Sequence, residues 1–147
     1  GMALGMKKKN ITNKEFVLMG DGECNEGSVW EALMSASNYN LDNLFICIDR
    51  NNLQQTGTNK DIMDIGDIGV KIKNFGWNVN SCNGHSLNDL IVSFSDTKNN
   101  KPTAVIANTI KGKGFSFAEN NNDWHHKILT KNQYELALEE LNKNAIE

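Results

Sequence analysis

The sequence predicts an α/β fold in which a parallel sheet carries helices on both faces. Short apolar runs without alternation recur along the chain, and this pattern is typical of strands covered on both sides. Stretches with apolar residues three and four positions apart separate these runs, as expected for amphipathic helices. Strand and helix patterns that alternate in this way indicate parallel βαβ units with right-handed crossovers.

The first half of the chain shows this alternation clearly. Residues 16–19 form an apolar run that stops at Gly20-Asp21-Gly22, which predicts a buried strand followed by a turn. A helix is predicted over residues 28–40, with Ser28 as its N-cap and Glu31 completing a capping box. Residues 44–48 are predicted to form a second, buried strand, and the polar residues 49–52 follow it as a turn.

The second half continues the pattern with shorter elements. We predict a helix over residues 68–75, a strand at 77–79, a helix over 86–96, a strand at 103–107 and a last helix over 131–144. Ser86 and Asp89 resemble a capping box at the start of one of these helices. Residues 111–128 are the one long stretch without periodicity, and such loops inside compact domains tend to be functional or disordered.

Composition excludes several classes of protein. The 147 residues carry 15 Lys+Arg against 18 Asp+Glu, a net charge of −3 with one arginine, which argues against a nucleic-acid-binding surface. No apolar run approaches the roughly 18 residues that span a bilayer, so no membrane association is expected. The separated Cys24, Cys47 and Cys82 indicate neither a disulfide framework nor a metal knuckle. The expectation is one cytoplasmic domain over residues 1–147.

The first six residues are small and apolar, and three lysines follow them. One interpretation is that vector-derived residues precede an initiator Met2. The other is that these residues are the tail of a helix that begins upstream, which would leave the fold incomplete at its N-terminus. The sequence leaves both interpretations open.

Polar residues follow the first two predicted strands at the edge where parallel sheets bind ligands. Glycines on both sides of Asp21 allow the backbone to approach a bulky anion, while the carboxylate itself suits a hard cation. The Asp21 carboxylate, the Asn51 amide oxygen and the Leu53 carbonyl could supply three oxygens to Mg²⁺. The structural alternative is a capping aspartate and an asparagine turn.

The GDG sequence, followed after one βαβ unit by Asn51-Asn52, resembles the thiamine diphosphate fingerprint. Residues 20–57 resemble the diphosphate-binding (PP) domain of transketolase, and residues 109–114 and 120–125 resemble a downstream loop of the same family. The loops are similar to those of the short N-terminal subunit of split bacterial and archaeal transketolases. The resemblance implies that the chain corresponds to the C-terminal part of such a subunit.

This resemblance implies thiamine diphosphate and Mg²⁺ as cofactors. It assigns the metal to the side chains of Asp21 and Asn51 and to the carbonyl of Leu53. The positions that it assigns to cofactor binding are Gly20, Asp21, Gly22, Glu23, Asn51, Leu53 and His125.

Two of the matched residues correspond to catalytic positions of the family. His125 corresponds to a histidine that reaches the diphosphate and the substrate side of the cofactor. Glu26 corresponds to a glutamate at the subunit interface, in a proton-linked network between two active sites. His126 stands where the family usually has glycine, so the choice between the two histidines is open. Lys111 and Lys113 have no assigned role.

The glutamate that activates the cofactor's pyrimidine ring lies, in this family, in a separate domain that has no counterpart here. The resemblance therefore implies a transketolase-type transferase that is active only with partner chains, among them a pyrimidine-binding C-terminal subunit, in a homo- or hetero-oligomer. Its reaction would move a two-carbon ketol unit from a ketose phosphate to an aldose phosphate, as in the pentose phosphate pathway. The alternatives are a non-catalytic cofactor-binding or assembly fragment, and a fragment similar to 1-deoxyxylulose-5-phosphate synthase.

Overall fold

The computed structural model describes residues 1–144. Its sheet has four strands in the order β1-β2-β4-β3, and every neighbouring pair is parallel. The strands are β1 (Glu15–Gly20), β2 (Leu44–Arg50), β3 (Asn78–Asn83) and β4 (Thr103–Asn108). The predicted parallel α/β fold is therefore confirmed, and the first two predicted strands are direct neighbours in the sheet.

Four of the six helices within residues 1–144 agree closely with predicted ones. The six helices are α1 (Met2–Lys8), α2 (Gly27–Asn38), α3 (Asn59–Met63), α4 (Ile68–Asn74), α5 (Leu87–Ser95) and α6 (Lys131–Asn144). Short 3₁₀ turns at Gly22–Asn25 and Asn122–His125 lie in segments for which no helix was predicted, as does α3. Within residues 1–144, no helix is long and apolar enough to cross a membrane.

Alternate residues of β2 face opposite sides of the sheet, and helices pack on both sides. Ile46 and Ile48 belong to the buried core cluster that also contains residues of α2 and α4, such as Leu33 and Ile72. The neighbouring Phe45 lies on the other face, where its ring is 6.5 Å from a ring of α5. The prediction of helices on both faces is thus confirmed.

The prediction that residues 16–19 form a fully buried strand is wrong. β1 is an edge strand with one neighbour among the described residues, and Phe16, Val17 and Leu18 expose 61%, 43% and 76% of their surface. By contrast, β4 lies between two strands, and its residues 103–107 are all buried. An apolar run therefore indicated a strand in both places, but burial depends on how many neighbours the sheet provides.

One predicted helix cap is wrong and one is confirmed. The Val29 N–H already donates to the Glu26 carbonyl at 3.1 Å, so α2 begins at Gly27 and Ser28 lies inside its first turn. No side-chain hydrogen bond caps this helix. Ser86, in contrast, is the N-cap of α5, where its hydroxyl accepts from the Asp89 N–H at 3.3 Å.

Two segments go beyond what the sequence pattern indicated. β3 continues to Asn83 because its polar residues still pair with β4, whereas the predicted strand ended at residue 79. Residues 2–8 are helical and packed on the core: Ala3 is 4% exposed, and its carbonyl accepts from the Asn43 side chain at 3.0 Å.

Candidate functional site

Asp21 lies immediately after β1, where the carboxyl ends of β1 and β2 meet. Its N–H donates to the Asp49 carbonyl at 3.1 Å, and its Oδ2 accepts from the Asn52 N–H at 2.6 Å. The residue is only 4% exposed, and none of the ion pairs within residues 1–144 involves it. A buried carboxylate without a cation is unfavourable, so the site favours binding of a positive ion.

The turn after β2 lies against this carboxylate, to which its Asn52 N–H donates. The Asn51 Oδ1 accepts from the Leu53 N–H at 3.0 Å, which fixes the Asn51 side chain in a tight turn. Asn52 adopts a positive φ of 62°, a conformation that asparagine tolerates better than most residues. A short antiparallel bridge between Leu53 and Thr58 then holds the segment in place.

All the residues predicted for the site line one open cavity of about 600 Å³ at this edge of the sheet. We call it the β1–β2 cleft, and its predicted lining residues are Gly20, Asp21, Gly22, Glu23, Glu26, Asn51, Leu53 and His125. Asp21, Asn51 and Leu53 also line a second cavity of about 430 Å³. These three oxygen-bearing residues are therefore shared by two cavities.

The glycine turn after β1 is closely packed. The Gly20 N–H donates to Glu23 Oε2 at 2.6 Å, so the Glu23 carboxylate is tied to the backbone of the turn. A Cβ atom on Gly22 would lie 3.1 Å from Cγ of Gln54, which is tighter than ordinary contact. The absence of a side chain at Gly22 thus lets the turn after β1 approach the segment after β2.

His125 reaches the cleft from the long loop after β4. Its Nδ1 lies 3.2 Å from Nζ of Lys111, and partial desolvation, the Lys111 ammonium and His126 together lower the pKa of His125. His126 packs against the His125 ring with a centroid distance of 4.5 Å, but it is absent from the described lining of the cleft. Of the two histidines, His125 is therefore the one that lines the cleft.

Cys24 lies under the glycine turn and takes no part in the lining of the cleft. Its side chain is fully buried, and burial together with the nearby Asp21 and Glu23 carboxylates raises the pKa of the thiol to about 12. The indole of Trp30 donates to the Cys24 carbonyl at 2.9 Å. Cys24 is thus a packed, protonated core residue.

Sequence reasoning did not assign four further lining residues, namely Asp49, Gln54, Gln55 and Lys111. Asp49 accepts a hydrogen bond from the hydroxyl of Thr109, which connects the end of β2 to the segment after β4. Its place among the polar residues predicted to follow the second strand was a usable signal, although β2 extends to Arg50. Lys111 carried no such signal, because a loop without periodicity does not show which side chains it turns inward.

The oxygen donors of the cleft fit a small divalent cation. Mg²⁺ prefers a few carboxylate or carbonyl oxygens and completes its shell with water and phosphate oxygens. Asp21 retains one carboxylate oxygen without a hydrogen bond among the described residues, and the Asn51 amide oxygen retains a second lone pair. Within residues 1–144, no group of three or more His, Cys, Asp or Glu side chains is placed to hold a metal. Among the three predicted ligands, Asp21 is the one that carries a carboxylate.

These features define an α/β protein with an oxygen-lined cleft at the carboxyl edge of a parallel sheet. Residues 5–145 match the family described as transketolase, thiamine diphosphate binding domain, so the chain belongs to the transketolase family.

Similar proteins and structures agree with this assignment. The chain is 44% identical over 142 residues to an apulose-4-phosphate transketolase subunit of Actinobacillus succinogenes, covering 96% of this chain and 51% of that protein. It is 36% identical over 145 residues to 6-deoxy-6-sulfo-D-fructose transketolase subunit SqwG of a Clostridium species, covering 97% and 53%. A crystal structure of transketolase from Campylobacter jejuni superposes with a TM-score of 0.89 at 27% identity, covering 95% of this chain and 23% of that one. The chain thus spans about half the length of these two curated relatives.

Proposed function

We propose that this chain holds the diphosphate end of thiamine diphosphate, through Mg²⁺, in a transketolase that transfers a two-carbon ketol unit between sugar phosphates. The observation that carries the proposal is the buried Asp21 carboxylate, which has no cationic partner among the described residues and faces the β1–β2 cleft. The family match supports the cofactor, and the oxygen donors support the metal.

The metal ligands in this proposal are the side chains of Asp21 and Asn51 and the carbonyl of Leu53. Hydrogen bonds to the neighbouring backbone already fix the two side chains, so binding requires little reorganisation. Gly22 lines the cleft, and the charge of a bound Mg²⁺ would offset the repulsion that Asp21 and Glu23 would exert on an anionic group there.

When bound, the cofactor supplies the chemistry that breaks and forms the carbon–carbon bonds of the substrates. The residues of this chain bind and orient it. His125, with its lowered pKa, is neutral at pH 7, so it can donate to an anion from one ring nitrogen while Nδ1 faces the Lys111 ammonium. We assign Glu26, which lines the cleft and precedes α2, to the proton-linked contact with a neighbouring protein chain.

Partner chains complete the site in this proposal. No residue of the chain is assigned to the activation of the pyrimidine ring, so a pyrimidine-binding subunit supplies that group, in a homo- or hetero-oligomer. The relatives' names support a divided enzyme, since both are called subunits. Those names give two different substrates, a sugar phosphate in one relative and a sulfonated sugar in the other. We propose sugar phosphates as the substrate class of this enzyme and name no particular sugar. The free cysteines support a reducing, cytoplasmic location.

Calorimetry tests the cofactor site directly. Thiamine diphosphate is titrated into the chain with saturating Mg²⁺ and, separately, with EDTA. We expect binding heat only with Mg²⁺, and we expect Asp21→Ala to abolish it because the proposed carboxylate ligand is lost. Asp89→Ala, an exposed carboxylate on α5, is the matched control and should bind like the original chain.

Unchanged affinity in Asp21→Ala would remove the metal assignment, provided that circular dichroism shows the variant to be folded. A separate assay addresses the partner chains: the isolated chain with Mg²⁺ and cofactor should show no ketol transfer. Measurable turnover by the pure chain would contradict the proposed division of the enzyme.

A further inference from the structure

The loop after β4 begins beside the turn that follows β3. The Gly84 N–H donates to the Asn108 carbonyl at 2.8 Å, which extends the pairing of β3 with β4 by one residue. A Cβ atom on Gly84 would overlap Cγ2 of Thr109 and lie 3.2 Å from the Asn108 carbonyl oxygen, so a side chain here would push the two segments apart. The turn after β3 and the start of the loop are therefore in close contact.

The backbone of Thr109 and Ile110 continues the alternation of β4. The Thr109 N–H donates to the Arg50 carbonyl at 3.1 Å, on the β2 side. Because successive N–H groups of an extended segment point to opposite sides, the N–H of Ile110 points to the β3 side. β3 ends at Asn83, so this strand offers no further ladder partner to Ile110.

The side chain of His85 provides the partner. The Ile110 N–H donates to Nε2 of His85 at 2.8 Å. An imidazole nitrogen accepts a hydrogen bond only while it carries no proton, so this contact requires a neutral His85 with its proton on Nδ1. The backbone of His85 is fixed by the turn, since its N–H donates to Oδ1 of Asn83 at 3.0 Å and the Ser86 N–H donates to the Asn83 carbonyl at 3.1 Å.

Ile110 is the residue from which the loop turns toward the cleft. Its carbonyl accepts from the Lys113 N–H at 3.1 Å, which closes a tight turn. Lys111 lies inside this turn, and its own carbonyl accepts from the Asn120 N–H at 2.9 Å, so the base of the loop closes there. Lys111 and His125, which contact each other at 3.2 Å, both line the β1–β2 cleft. The position of Ile110 therefore affects where both side chains enter the cleft.

We propose that His85 is a positioning residue for the cofactor site: in its neutral form it holds the Ile110 N–H and so fixes the start of the loop that carries Lys111 and His125. The proposal rests on the proposed function, since it assumes that thiamine diphosphate binds in the β1–β2 cleft. His85 is exposed and is absent from the described lining of the cleft, so it acts through the loop.

Protonation of His85 should break this contact. An imidazolium carries a proton on both ring nitrogens, so Nε2 and the Ile110 N–H would then be two donors facing each other. Histidine is the side chain that ordinarily changes its charge between pH 5 and 8. We therefore expect acid to weaken cofactor binding through this contact. Charged residues lie on three of the segments that meet around His85, namely Asp89 on α5, Asp49 and Arg50 on β2, and Lys111 on the loop.

NMR of the free chain tests the contact without cofactor. At about pH 8, the nitrogen chemical shifts of the His85 ring should show the form with the proton on Nδ1. Exchange of the Ile110 amide hydrogen should be about three- to tenfold faster in His85→Leu than in the original chain, because leucine has no acceptor. His85→Gln retains an acceptor oxygen on a side chain of similar reach and should keep the exchange slow.

Calorimetry with thiamine diphosphate and saturating Mg²⁺ tests the effect on the site. At about pH 8, His85→Leu should bind about three- to tenfold more weakly than the original chain, whereas His85→Gln should bind like it. At about pH 5.5, the original chain should lose about three- to tenfold more affinity than His85→Gln, because glutamine does not titrate. His125 and the cofactor phosphates titrate in both proteins, so their contribution cancels in this comparison.

Asn88→Leu is the matched control for His85→Leu. Asn88 is an exposed residue of α5, and its side chain makes no hydrogen bond within residues 1–144. This variant receives the same apolar side chain close to the same turn, and it should leave both the Ile110 exchange and the affinity unchanged.

Three results would overturn the proposal: a proton on Nε2 of neutral His85 in the free chain, equal exchange and affinity in His85→Leu and the original chain, or an affinity of His85→Gln as low as that of His85→Leu. Absence of cofactor binding by the original chain would count against the proposed function instead. The NMR measurements contain no cofactor, so they decide separately whether His85 holds the loop.

Discussion

β4 and β1 carry similar apolar runs, yet one is the centre of the sheet and the other its open edge. Every residue of 103–107 in β4 is buried, whereas Phe16, Val17 and Leu18 in β1 are exposed. Both strands nevertheless lead into the β1–β2 cleft: β1 into the glycine turn, and β4 into the loop that carries Lys111 and His125. The difference shows that an apolar run predicts a strand, whereas the burial of that strand depends on the number of strands beside it.

The largest expected contrast is in stability. Ile106 of β4 is 3% exposed, so Ile106→Ala should lower the free energy of unfolding by about 2–5 kcal/mol through lost burial and a cavity. Leu18→Ala in β1 should cost about 0.5 kcal/mol or less in the isolated chain, because the side chain is already in water. Urea unfolding of both variants measures this contrast. Equal losses in the free energy of unfolding would contradict the expected difference between β4 and β1.

An intermediate effect is expected at Phe16, which is exposed but packed on one side. Its ring lies 5.0 Å from that of Phe45 and 5.8 Å from that of Phe94. Phe16→Ala should therefore cost about 1–2 kcal/mol in the same urea experiment, between the two values above. A loss as small as that of Leu18→Ala would contradict this expectation. It would mean that the aromatic contacts of Phe16 contribute nothing to the free energy of unfolding.

The smallest effect concerns the loop after β4. Lys111→Gln removes a positive charge 3.2 Å from Nδ1 of His125 and should raise the His125 pKa toward its ordinary value, because protonation no longer faces a like charge. NMR titration of the histidine ring protons measures the shift. Lys113→Gln is the control, since Lys113 pairs with Glu119 at 3.7 Å, and it should leave the His125 pKa in place. No change with Lys111→Gln would show that the two side chains are apart in solution.

Much of the site could be predicted from the sequence because it depends on strand ends. Asp21 and Asn51 each follow a strand, and parallel pairing of those strands places both at one edge of the sheet whatever the loops do. The cap at Ser86 could be predicted for a similar reason, since it depends on residues three positions apart.

Other features depend on contacts between distant segments, and local pattern does not show these. The exposure of β1 follows from the number of strands beside it. The start of α2 at Gly27 follows from a 3₁₀ turn that a capping-box pattern does not reveal. The contact between Lys111 and His125 connects two residues 14 positions apart in a loop without periodicity. The polar residues of β3 form a strand because they pair with β4.

Hydrogen exchange of the isolated chain, with and without thiamine diphosphate plus Mg²⁺, tests the central claim most directly. The claim is that the turns after β1 and β2 hold the cofactor, whereas the exposed apolar residues of β1 take no part in binding it. We predict slower exchange at residues 21–25 and 51–54 on cofactor addition, with residues 16–18 unchanged. Protection confined to residues 16–18, or no protection at residues 21–25 under conditions where calorimetry reports binding, would contradict it.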